Sequence, residues 1–169
     1  MAAPTFTVNA ERYDPYRTFK FQVLIDGQIV AGLTKMGELK KTTQEVKWRA
    51  CNDPSHERIL PGGTSYGPVT LEQGLTHDPV FESWANLVNN IDGDGAISLK
   101  NFRKDIVVNV LNLQGTVAIS YKLFRAWVSE YQALPALDAG SMNAVGIQTL
   151  TLQHEGWQRD TSVVEPTES

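Results

Sequence analysis

The stretch "NNIDGDGAISLKNF", Asn89 to Phe102, spaces oxygen-bearing side chains at intervals that suit a calcium ion. An EF-hand loop needs oxygen ligands at its positions 1, 3, 5, 9 and 12, a glycine at 6 and an apolar residue at 8. Read from Asn90, the chain offers Asn90, Asp92, Asp94, Gly95, Ile97, Ser98 and Asn101 in those places. The spacing fits and the charge does not. Position 1 is neutral, and position 12 is asparagine where a bidentate glutamate should close the coordination sphere. The loop is entered from a helical pattern but leaves into "DIVVNV", a strand pattern, so the second helix of an EF-hand is missing. The expectation is a helix-to-strand connection built on Asp-Gly turns, with no metal bound.

Two other groupings have the residue types of catalysis. "GTSYG", Gly63 to Gly67, matches the G-x-S-x-G elbow of serine hydrolases, and Asp138 and His154 follow Ser65 in the right chain order. That elbow must join a strand to a helix, whereas "GTSYG" precedes "PVTLEQG", a strand pattern, and no βα alternation surrounds it. A glycine-rich loop is the expectation. Cys51 and His56 in "CNDPSH" pair a thiol with a base, but a lone cysteine beside a polar turn is more often inert. His56, His77 and His154 stand far apart, and "HEGWQ" lacks the second histidine of a zinc helix. No active site and no cofactor are expected.

Composition narrows the classes. A chain of 169 residues fits one domain that buries roughly 70% of its unfolded surface. Cys51 is the single cysteine, so no intrachain disulfide supports the core. The 15 basic and 19 acidic residues are well mixed, giving a net charge of −4 and no broad basic face for nucleic-acid recognition. Neither a signal-peptide core nor a run near the ~20 apolar residues of a membrane span occurs. Synthesis in the cytoplasm as a soluble protein, with no stable membrane insertion of its own, is expected. Residues 1–12 are expected to form an N-terminal extension, 13–160 a β domain, and 161–169, ending "EPTES", a disordered tail.

Alternation dominates the middle. Phe19, Phe21, Val23 and Ile25 share one side of a strand, Asp26-Gly27 signals a hairpin, and "QIVAGL" can return as its partner. "LKKTTQEVKW" reads as a polar strand near an edge. In "DIVVNVLNLQGTVAISYKLF", Ile106, Val108 and Val110 face Val117, Ile119, Tyr121 and Leu123 across a Gln114-Gly115 turn, and "VGIQTLTLQHEGW" supplies a last strand. One helix stands out in "HDPVFESWANLVNNI". Asp78 caps it, Pro79 takes its first position, and Phe81, Trp84, Val88 and Ile91 form one apolar stripe. "FRAWVSEYQAL" is ambiguous: Phe124, Trp127, Val128 and Tyr131 have helical spacing but continue a strand. The predicted class is mainly β, a small antiparallel barrel or sandwich with one flanking α-helix.

From Arg49 to Pro68, "RACNDPSHERILPGGTSYGP" shows no convincing periodicity. Loops this long inside a domain are usually functional. Arg49, Asp53, His56, Glu57 and Arg58, with Leu60 and Tyr66, suit a surface arm that lies on another subunit; a flexible excursion without a partner fits equally. Near the N-terminus, Asp14 and Arg17 of "DPYR" flank the first strand. A charged inter-subunit contact and a local turn both account for them.

Four segments in series, "YDPYRTFKFQVLIDGQIVAGLTKMGEL", "RILPGGTSYGPVTLEQGLTHDPVFESW", "RKDIVVNVLNLQG" and "LDAGSMNAVGIQTLTLQHEGWQRD", resemble the inner-tube proteins of contractile injection systems and contractile phage tails. The resemblance runs from about Tyr13 to Asp160. It implies a structural protein: six subunits join strands into a ring with a β-lined lumen, and rings stack into a hollow tube inside a sheath. It further implies partners in other copies of the chain, the sheath, the baseplate, spike and cap proteins, and a luminal payload. It favours a strand for "LFRAWVSEY" and places the Arg49–Pro68 arm at ring stacking or on a neighbouring subunit. A small β-barrel binding module for weak calcium or a small ligand is the competing expectation.

Overall fold

The computed structural model describes residues 15–92 and 100–166. Asp14, the N-terminal extension and the last three residues of the tail lie outside them, as do residues 93–99 of the Asp-Gly loop. In chain order the elements are β1 (Phe21–Ile25), β2 (Gln28–Ile29), β3 (Leu33–Met36), β4 (Lys41–Trp48), β5 (Arg58–Tyr66), β6 (Val69–Gly74), α1 (Val80–Val88), β7 (Lys104–Leu111), β8 (Val117–Gln132), β9 (Ile147–Gln153) and β10 (Trp157–Arg159).

The two predicted hairpins form. Asp26 and Gly27 both take positive φ, 53° and 80°, the backbone of a two-residue turn whose twist matches its strands. Its return strand is shorter than expected. After Leu24 pairs with Ile29 and Ile25 with Gln28, the chain leaves the hairpin, and β3 pairs with β6 instead. In the second hairpin Ile106 faces Leu123, Val108 faces Tyr121 and Val110 faces Ile119, with Gly115 turning at φ 87°.

The ambiguous "FRAWVSEYQAL" is a strand. It completes β8, whose first half pairs with β7 and β10 and whose last six residues pair with β9. The change of partner occurs at a β-bulge where Arg125 has φ 50°, uncommon for a residue with a side chain. The Asp105 carboxylate accepts the Arg125 N–H at 3.0 Å, and Phe124 N–H donates to Gly156 O at 2.9 Å.

The main sheet runs β2-β1-β7-β8-β9-β6-β3, with β10 beside β8. Its two end strands are consecutive in the chain, Ile29 and Leu33, so the sheet must curl until its margins nearly meet. A buried polar chain ties this seam. Tyr131 OH donates to Gln148 Oε1 (3.0 Å), Gln148 Nε2 to Gln73 Oε1 (2.6 Å), and Gln73 Nε2 to Ala31 O (2.5 Å), between β2 and β3. Gln73 and Gln148 are buried, so each amide needs these partners.

The curled sheet is filled by Val23, Leu71, Ile106, Leu123, Leu150 and Leu152, with Phe81 and Trp84 of α1 in the same cluster. The helix starts one residue later than expected: Pro79 is the N-cap, and Asp78 Oδ1 accepts the Val80 N–H at 3.2 Å from one position further out. Trp84 Nε1 donates to Phe102 O at 2.8 Å, which fixes the helix to the approach of β7. The stripe ends early. Asn89 is extended (φ −150°, ψ 124°), so Ile91 leaves the helix and is fully exposed. Among the described residues α1 is followed by β7; residues 93–99, on which the expected Asp-Gly turns fall, lie outside them.

Candidate functional site: a projecting β-hairpin

β4 and β5 form a two-stranded sheet of their own, hydrogen-bonded to no strand of the barrel. The expectation of a long aperiodic loop is corrected here: Arg58–Tyr66 is a strand, paired from Lys41↔Tyr66 to Trp48↔Arg58, and the turn spans only 49–57. Nearly every residue of the arm is exposed. Both faces of β5 meet solvent, so no burial pattern selects alternating residues, and the sequence signal vanishes.

The root is rigid. Gly37 N–H donates to Thr70 O at 2.6 Å and Gly67 N–H to Lys40 O at 3.0 Å, carrying the chain from the barrel into the arm and back. Tyr66 packs its ring against Gly156 and lies 5.8 Å from the His154 ring, whose Nε2 is 2.9 Å from Gly67 O. Midway, Gly62 and Gly63 together oppose Gln44, a bulge that bends the hairpin. A Cβ on Gly62 would come within 3.0 Å of Val46 Cγ2 and 3.1 Å of Gln44 O, so the backbones approach here only with glycine.

Past the bulge the arm presents two faces. Residues directly opposite in an antiparallel pair share a side, so Val46 and Leu60 lie with Trp48 and Arg58 on one face, and Glu45 and Pro61 with Lys47 and Ile59 on the other. The first face is apolar and open to solvent, with the Arg58 guanidinium 5.1 Å from the Trp48 ring centre. On the second, Glu45 and Lys47 pair at 3.5 Å beside Ile59, which is 61% exposed. Asp53 holds the tip, accepting the Ala50 N–H at 2.9 Å and Arg58 Nη2 at 2.6 Å.

The residues singled out in the sequence therefore separate. Asp53 and Arg58 bind each other, and the Asp53 side chain is only 6% exposed. Arg49, His56 and Glu57 are exposed at the tip, Leu60 is on the apolar face, and Tyr66 is at the root. Arg17 is exposed in the segment before β1, away from this cluster in sequence. Val46 and Trp48 complete the apolar face, and sequence reasoning passed over both. The alternation in "EVKW" carried the signal, but a strand taken as polar directs attention elsewhere.

The hydrolase grouping is not assembled. Ser65 lies inside β5 opposite Thr42, with no strand-to-helix elbow. His154 sits at the arm root, while Asp138 accepts the Gly140 N–H at 2.9 Å in the loop between β8 and β9. Cys51 is exposed at the tip. Among the described residues no three His, Cys, Asp or Glu side chains converge as metal ligands, and no helix is long and apolar enough to cross a membrane. Burial, with the Glu82 carboxylate second, pushes the Tyr131 phenol above its usual range, and this group belongs to the seam.

A filled antiparallel barrel covered by α1, with a projecting, solvent-exposed hairpin, has the form of an assembly subunit. The chain belongs to the T4-like virus tail tube protein gp19 family, whose model matches residues 17–158, and its role is that of a structural tail tube subunit. No curated protein matches the sequence significantly. The fold is similar to that of a chain in the PVC sheath-tube complex of an extracellular contractile injection system in the extended state (TM-score 0.74, 19% identity, covering 93% of this chain and 99% of that one). It is also similar to a chain of the anti-feeding prophage tube-terminating cap (TM-score 0.72, 21% identity, 92% and 99% covered). Hcp1 from Flavobacterium johnsoniae shares the fold more distantly (TM-score 0.51, 16% identity, 82% and 93% covered).

Proposed function

We propose that six copies of this chain close into a ring, that rings stack into a hollow rigid tube, and that the β4–β5 arm makes the contact between copies. The observation that carries this is the arm itself. A two-stranded hairpin is at best marginally stable in water, yet this one exposes Val46, Trp48, Ile59 and Leu60. Contact with another copy would cover those side chains.

The resemblance to baseplate, sheath-tube and cap assemblies supports a tube surrounded by a sheath and ended by cap and baseplate proteins; in this reading the lumen carries a payload. The working body is residues 13–160, with the termini outside it. The protein is made in the cytoplasm and incorporated into a phage tail or tail-like particle. The role is mechanical, without catalysis, cofactor or metal; the position of Ser65 within a strand, with no strand-to-helix elbow, supports this.

Electron microscopy of the concentrated chain tests the reading. Six-fold rings or tubes are expected, and a folded chain that stays monomeric overturns it. Thr43 and Thr64 face each other, Oγ to Oγ, at 3.0 Å. Replacing residues 44–63 by Asn-Gly there should leave a folded barrel that builds no tubes. Normal tubes from that variant would remove the arm from the proposal.

A further inference from the structure

The arm accounts for one concentration of exposed apolar side chains. A second lies on the loop of residues 133–146 between β8 and β9. Leu137, Met142 and Val145 are 76%, 94% and 78% exposed, and Leu134 is more than half exposed. Leu75 joins them: its N–H donates to Gly146 O at 2.9 Å, and its side chain lies 3.4 Å from where a Cβ on Gly146 would stand. Asp138 shapes the loop from within, through Gly140 N–H at 2.9 Å and Ser141 N–H to its carbonyl at 3.2 Å.

The two concentrations occupy opposite ends of the same strand pair. At the arm's root Val69 of β6 pairs with Leu152 of β9, and at the loop Gly74 pairs with Ile147. Five residue steps separate these ends by about 17 Å. The arm leaves the barrel from the first end as a separate sheet, and the exposure of both its apolar face and the loop shows that it does not cover the loop of its own chain. Its eight-residue β4 extends about 26 Å, long enough to bridge to a neighbouring molecule.

We infer that the Val46–Trp48–Leu60 face of one copy's arm seats on the 133–146 loop of the next copy along the tube. This rests on the tube reading and names the surface that receives the arm. A patch at one end that meets a different patch at the other end is a heterologous contact, and it repeats without limit along an axis. Each contact covers apolar area on both partners, and six parallel contacts between two rings add by multivalency, so each one alone can be weak.

The native Cys51 at the arm tip supplies a probe. In full-length chains carrying Met142→Cys, a short bismaleimide added to assembled particles should link copies into a ladder on a denaturing gel. Adding Cys51→Ser should abolish the ladder. Leu137→Asp with Val145→Asp should give rings that do not stack, as should Trp48→Asp with Leu60→Asp. Mixing those two preparations should give two-ring stacks and nothing longer, because only one intact joint is available. Long tubes from the loop variant, or native-length tubes without a ladder from Met142→Cys, overturn this inference and leave the tube reading standing. A wild-type chain forming neither rings nor tubes overturns both.

Discussion

The carboxylate of Asp105 accepts the backbone N–H of Arg125 at 3.0 Å and holds that residue at φ 50°. This bond fixes the corner where β8 passes from one set of partner strands to the other. Left-handed backbone costs a non-glycine residue about 1 kcal/mol or more. Asp105→Ala should therefore lower stability by about 1–2 kcal/mol in urea unfolding. Arg125→Gly should offset that loss in the double variant by relieving the backbone strain. An Asp105→Ala chain as stable as the parent would show that the corner is held by packing alone.

Asp53 acts only on the arm. Asp53→Ala removes the acceptor for Ala50 N–H and for the Arg58 guanidinium. Because Arg58 is more than half exposed, the ion pair contributes no more than about 1 kcal/mol. The thermal midpoint of the barrel should stay within about 2 °C, on the scale that converts 1 kcal/mol to a few degrees. Amide exchange at residues 49–58 should speed up at least tenfold, and tube assembly should slow. A large fall in the midpoint would mean that the tip supports the barrel.

The seam between β2 and β3 is tested by a double-mutant cycle. Gln73→Leu leaves the Ala31 carbonyl and the Gln148 amide without partners, at about 2–4 kcal/mol for the two stranded groups. Gln148→Leu strands Tyr131 OH as well. The double variant should cost less than the sum of the single ones by about 1–3 kcal/mol. Strict additivity of the two urea-unfolding losses would show that the amides are not coupled.

Tyr131 gives the seam an alkaline limit. Burial first, and the Glu82 carboxylate second, raise its pKa above the ordinary 10.0. The folded chain then keeps the phenol proton at pH values where the unfolded chain has lost it. The resulting stability is complete below pH 10 and is lost as pH rises through the folded pKa. Tyr131→Phe should flatten the stability profile in that window, and phenolate absorbance should show one tyrosine titrating late. An unchanged profile would exclude Tyr131 as its source.

The parts of this fold that depend on one buried face were legible in the sequence. "FQVLIDG" and "IVVNVLNLQG" alternate because Val23, Ile25, Ile106 and Val108 point into the core, and their Asp-Gly and Gln-Gly turns supply the positive φ that tight hairpins need. The second half of β8 was not legible, because bulges shift the phase of its alternation. Leu123, Ala126 and Val128 are its buried positions, at steps of three and two that fit neither a regular strand nor a helix. Phe124, Trp127, Val128 and Tyr131 happen to fall at helical spacing, with only Val128 among them buried. Strand β5 was hidden for the opposite reason: with solvent on both faces, "RILPGGTSY" carries no constraint on alternation. The same absence concealed the candidate site. Trp48 and Val46 stand on a surface that needs a second molecule before their pattern has meaning.

A single uninterrupted strand, β8, belongs to both halves of the barrel. A load entering at one margin of the wall can pass to the other through covalent bonds, without relying on a slip-prone joint between two stacked layers. Compression would then find its weakest element outside the wall, in the slender hairpin. A shaft made of such units should come apart between its segments before any segment yields.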